Sequence, residues 1–168
     1  MARPLEFDAI EVARNRWSER WPDAAEAMAA ATSIMRAQQI VLTAVDTALR
    51  PYGLTFARFE ALVLLSFTRT GRLPLGKMGQ RLMIHPTSVT NIIDRLVADR
   101  LVERIPHPSD RRTTLAQITP AGRALVVRTT EAVNDAHFGL GVLDDDELGR
   151  LTQLVRTLRL AAGDFTEG

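Results

Sequence analysis

The sequence predicts a mainly helical fold carrying one small β-wing, and three observations lead to it. A short amphipathic stretch, residues 86–97, is followed at once by two strand-like runs, 102–105 and 114–118. The runs are joined by a Pro-His-Pro-Ser-Asp segment with paired arginines, Arg111 and Arg112. Long segments of helical periodicity flank this unit on both sides. Helix, turn, helix and hairpin in this order make a winged helix-turn-helix lobe between helical extensions.

The elements follow in order. Residues 5–21 suit a short helix ending near Trp21-Pro22, with Trp17 and Trp21 one turn apart on one face. Residues 23–49 read as a long helix, with Ala27, Ile34, Ile40, Val41, Val45 and Leu49 close to helical spacing. Pro51-Tyr52-Gly53 breaks it. Thr55 is placed to cap the next helix, 56–68, whose apolar face is Phe59, Leu62, Val63 and Phe67. Residues 72–75 are an extended link, and 76–82 a brief helix weakened by Gly79. Met83-Ile84-His85 is the turn, and Pro86 fits a first helical position, where its missing N–H costs nothing. That helix runs to about Asp99. After the two wing strands, Thr119-Pro120 opens a helix to about His137, and Gly139 and Gly141 interrupt it. Asp144 starts a last helix, apolar at Leu148, Leu151, Leu154, Val155, Leu158 and Leu160.

Composition narrows the class. The chain has 168 residues and is 46% apolar, enough for a sizeable core in one domain. No apolar run approaches the roughly 18 residues that span a bilayer. The start carries acids and no apolar core of a signal peptide, so a cytoplasmic location is expected. Cysteine is absent, which excludes disulfides, thiol sensing and cysteine-held zinc. Net charge is only +1, but it is unevenly spread. Residues 71–128 carry 10 basic and 4 acidic side chains, whereas 129–168 carry 3 basic and 8 acidic. A basic middle of this kind is the footprint of a nucleic-acid partner.

Within 86–97, Val89, Ile92, Ile93, Leu96 and Val97 form one apolar stripe. Thr87, Ser88, Asn91 and Arg95 lie opposite, with Thr90 at the edge. Asn pairs with adenine through two hydrogen bonds, Ser and Thr adapt to several bases, and Arg reaches guanine or phosphate. Residues near the start of such a helix enter the groove deepest, so Thr87, Ser88 and Asn91 are expected on bases and Arg95 on phosphate. Asp94 is expected to pair with a nearby arginine. In the wing, Asp110 is expected to hold one guanidinium of Arg111 or Arg112 while the other enters the minor groove. Which arginine does which is open.

Residues 75–122 resemble the MarR family of bacterial regulators through HPTSVTNIIDRL, LVERIPHPSDRR and ITPAGRAL. The Asp-Arg-Arg turn followed by strand, Thr, Pro and Gly is the specific part. The resemblance implies a homodimer whose terminal helices interlock, with 23–54 and 120–168 as the dimerisation region and 55–119 as the DNA-binding lobe. It implies a repressor of double-stranded DNA that reads a pseudo-palindrome. It also implies release by a small anionic or phenolic effector, with Tyr52, Arg58, Phe59 and His85 as candidate contacts; core packing is the alternative for Phe59. No cofactor or metal is expected.

Other classes are weaker. His85, His107 and His137 form no defensible catalytic triad with a nucleophile. The acids at 144–147 suit the dipole of a helix's first turn better than a metal. The alternative function is a winged-helix module for protein partners, which would lack the steep salt dependence of DNA binding.

Overall fold

The computed structural model describes residues 5–110 and 112–166 of the chain. Helix α1, Ala9–Arg20, starts later than expected because Asp8 caps it. The Asp8 carboxylate accepts from the amides of Ile10 and Glu11 at 2.9 and 3.3 Å. Trp17 and Trp21 do share a face, with ring centroids 4.8 Å apart. A short 3₁₀ turn leads into α2, Ala25–Leu49, and α1 packs along it.

A second 3₁₀ turn, Arg50–Tyr52, separates α2 from α3, Phe56–Ser66. Thr55 occupies the N-cap of α3, but its side chain makes no capping bond. Asp46 of α2 does that work instead, accepting from the Phe56 amide at 2.8 Å. The cap thus comes from a neighbouring helix and fastens α3 to α2. Phe67 was expected on the apolar face of α3, yet it is 82% exposed. The buried face is centred on Ala61, Leu62 and Leu65, each fully enclosed. At 100° per residue Phe67 points well away from those three.

Residues 72–74 form a strand, not only a link. Strand β1, Arg72–Pro74, pairs with β3, Thr114–Ile118, which also pairs with β2, Val102–Pro106. The sheet order is β1-β3-β2, all antiparallel, with Leu73 opposite Ala116 and Arg104 opposite Ala116 on the other side. Pro74 is tolerated because β1 is an edge strand. Between β1 and β2 lie α4, Leu75–Leu82, and α5, Pro86–Ala98. α4 stops at Met83, which adopts φ +54 and turns the chain toward α5.

One core unites these parts. Val45 and Leu49 of α2 share a cluster with Leu62, Leu65, Met78, Ile93 and Leu96, and Val102, Ala116, Ile118 and Val133 belong to it too. Helix α6, Pro120–Asp135, leaves β3 through Thr119. The Thr119 hydroxyl accepts from the Gly122 amide at 3.0 Å and reaches the carbonyls of Arg100 and Leu101 at 3.0 and 3.1 Å. A 3₁₀ turn, His137–Gly139, then leads to α7, Asp145–Ala161. Asp144 and Glu147 close a reciprocal cap at its start, at 2.8 and 3.0 Å. α7 buries none of its residues. Leu151, Leu154, Val155 and Leu158 stay exposed on it, as do Ile34, Met35 and Ile40 on α2. Among the described residues, no helix is long and apolar enough to cross a membrane.

Candidate nucleic-acid interface

The start of α5 is built by local chemistry. His85 sits at its N-cap, and Nδ1 accepts from the Thr87 amide at 3.3 Å. Pro86 follows at the first helical position, with φ preset for the helix. On the inner side Val89, Ile93 and Leu96 are at most 1% exposed, while Ile92 and Val97 are half-buried. On the outer side Thr87, Ser88, Thr90, Asn91 and Arg95 are all exposed. The Thr90 hydroxyl donates back to the Pro86 carbonyl at 3.2 Å. The side chains of Thr87, Ser88, Asn91 and Arg95 make no hydrogen bond among the described residues, so their donors and acceptors face outward uncommitted. A helix held this firmly on one face and polar on the other can present a fixed hydrogen-bonding pattern to a groove.

Asp94 pairs with Arg104 of β2 at 2.8 Å, which ties the helix to the wing. Arg58 of α3 pairs with Asp99 at 3.2 Å, which anchors the helix's far end. Both pairs are partly exposed, so they orient more than they stabilise.

In the wing, the Asp110 carboxylate accepts from the Arg112 amide at 3.0 Å and from the Thr113 hydroxyl at 2.6 Å. These bonds, the hydroxyl foremost, hold its carboxyl below the usual carboxylate range. Asp110 therefore shapes the tip through the main chain of Arg112, and its carboxylate does not engage the Arg112 guanidinium. That side chain is exposed. Arg111 lies outside the described residues. The tip is further closed by the His107 amide donating to the Thr113 carbonyl at 3.1 Å. An exposed arginine on a pinned turn can follow a phosphate backbone or enter a narrow groove.

The four candidate effector contacts do not converge. Tyr52 lies under the Arg128 guanidinium, 5.2 Å from the ring centre. Arg58 is taken by Asp99 and His85 by its own helix. Phe59 is 5% exposed, belongs to the core and also lines a cavity of about 490 Å³ between α3 and α6. Glu60 lines this cavity too, and sequence reasoning overlooked it. Its signal was available: Phe56, Glu60, Val63 and Phe67 recur every three to four residues, a second stripe on α3 with one charge in it. Partial burial there pushes the Glu60 carboxyl above the usual carboxylate range.

Known proteins share this fold and part of this sequence. The MarR family model matches residues 54–114. The chain is 32% identical over 122 residues to the uncharacterized HTH-type transcriptional regulator YhbI of Bacillus subtilis, covering 70% of this chain and 77% of the relative. It is 31% identical over 110 residues to the multiple antibiotic resistance protein MarR of Escherichia coli, covering 64% and 75%. The crystal structure of Sco5413, a MarR family transcriptional regulator from Streptomyces coelicolor, superposes with a TM-score of 0.78. The two are 55% identical, and the match covers 84% of this chain and 99% of that one. A mutant MarR from Escherichia coli complexed with operator DNA superposes with a TM-score of 0.72 at 25% identity, covering 84% and 96%. The outward polar face of α5, the pinned wing and these near-complete superpositions lead to one conclusion: the chain belongs to the MarR family of transcriptional regulators.

Proposed function

We propose that this chain is a cytoplasmic DNA-binding repressor, not an enzyme, that grips a pseudo-palindromic operator as a homodimer and releases it when a small molecule binds. The observation that carries this reading is the two-sidedness of α5, buried at Val89, Ile93 and Leu96 and uncommitted at Thr87, Ser88 and Asn91. Residues 55–119 act as the reading lobe, with α5 in the major groove and the wing in the minor groove. Residues 23–54 and 120–168 supply the dimer, because α7 has an apolar stripe that its own chain leaves open. Two such lobes read half-sites about one helical turn apart, roughly 10 base pairs. That the superposed E. coli relative is complexed with operator DNA supports the DNA-binding part of this reading.

Two substitutions separate the roles. Asn91→Ala is expected to lose about 1–3 kcal/mol of discrimination between operator and random DNA. Equal weakening on both DNAs would remove Asn91 from the bases. Arg112→Ala is expected to weaken both DNAs alike and to flatten the slope of log affinity against log salt by about 1. An unchanged slope would place Arg112 away from phosphate.

The test of the whole reading is a titration against DNA from upstream of the chain's own coding region and against random DNA, at two salt concentrations. Tight, salt-sensitive, selective binding is the expected result. Weak and equal binding to both, and to operator-like libraries, would overturn it.

A further inference from the structure

The cavity between α3 and α6 has an unusual lining. Phe56, Phe59, Phe67 and Phe138 all face it, four of the six phenylalanines in the chain. Its polar groups include Glu60, Thr130 and Asn134, and among the described residues no Arg, Lys or His lines it. At about 490 Å³ it is the size of a small-molecule site. Aromatic faces are electron-rich and attract cations, most strongly where water is scarce. A carboxylate among them adds an attraction of the same sign and opposes anions.

We infer that this cavity binds a hydrophobic organic cation, such as an aryl-substituted ammonium or phosphonium, with its charge near Glu60 and its rings among the phenylalanines. The inference rests on the proposed effector-responsive reading and reverses the charge that the family resemblance implied. Arg58, one of the four candidate effector contacts, is engaged with Asp99 and does not line the cavity. Glu60 has no hydrogen bond or ion pair among the described residues. Partial burial among these side chains also raises its carboxyl above the usual carboxylate range.

An isosteric pair of probes tests the sign directly. Tetraphenylphosphonium and tetraphenylborate share shape and differ in charge. Calorimetric titration of the full chain without DNA is expected to show the cation binding at least about tenfold tighter than the anion. Glu60→Gln keeps the shape and removes the charge, and is expected to weaken the cation about three- to tenfold and to narrow the gap between the probes. Phe67→Ala, at an exposed position that the fold does not need, is expected to weaken the cation several-fold. Tighter binding of the anion, or Glu60→Gln without effect, would overturn the assignment. The measurement involves no DNA, so its failure leaves DNA binding standing. Conversely, selective cation binding by a chain that ignores all DNA would sink the regulator reading and keep the site.

Discussion

Replacing Leu154 and Leu158 together by aspartate is expected to yield a monomer and to lower operator affinity by about 100-fold or more. The two leucines are one turn apart on α7, and they are 69% and 57% exposed within their own chain. Nothing in the lobe's core depends on them, so a single chain folds without them. In a two-fold dimer each new carboxylate would be buried beside apolar partners or beside its own symmetry copy, and desolvation outweighs any contact it retains. The helix itself survives, because the Asp144–Glu147 cap holds its start and an internal aspartate costs only a few tenths of a kcal/mol of propensity. The loss in affinity comes from geometry. A linked pair of lobes places the second half-site at high effective concentration, and two separate lobes do not. Sedimentation equilibrium with operator and half-operator titrations checks this. A variant that stays dimeric would show that α7 lies outside the dimer contact.

Gly122→Ala is expected to destabilise the protein by about 1–3 kcal/mol, although alanine is the better helix former by about 1 kcal/mol. The reason is space. A Cβ at Gly122 would run into the Leu101 carbonyl oxygen and lie 2.8 Å from Cγ1 of Ile118. The first obstacle is main chain, held in place by the Thr119 hydroxyl and amide, so it cannot swing aside as a side chain would. Relief requires α6 to lift from the β2 end of the sheet, which breaks the Thr119 cap on the Gly122 amide. In a chain of this size each kcal/mol lowers Tm by about 2–4 °C. Thermal unfolding at fixed protein concentration measures it. An unchanged or raised Tm would show that the contact between α6 and the β2 end is softer than its geometry states.

Much of the candidate site's frame is legible because it is local. The apolar stripe of α5 and the polar face opposite are set by positions within four residues of one another, and strands β2 and β3 by a short hairpin. What escaped depends on partners far along the chain. Arg72–Pro74 looks like a link until Gln117 and Ala116 arrive opposite it. Thr55 stands at the N-cap but makes no side-chain capping bond, and Asp46 of α2 accepts from the Phe56 amide instead. Arg58, a candidate effector contact, meets its ion-pair partner Asp99 only through the fold. Glu60 escapes for a different reason: α3 is apolar on two faces, and its charge sits in the weaker stripe. Asp94 shows the favourable case: a carboxylate expected to pair with a nearby arginine does so, with Arg104.

One side chain, Thr119, joins the end of β3, the segment after α5 and the first turn of α6. With Asp94 bridging to the wing strand, helix, wing and α6 are coupled like parts of a single lever. A lever that swings whole alters the distance between the two reading heads of a dimer and leaves the lettering on each head unchanged. On the proposed reading, an effector that tilts α6 would act on pitch, not vocabulary: each head would keep its half-site, and only the rhythm between the halves would be lost.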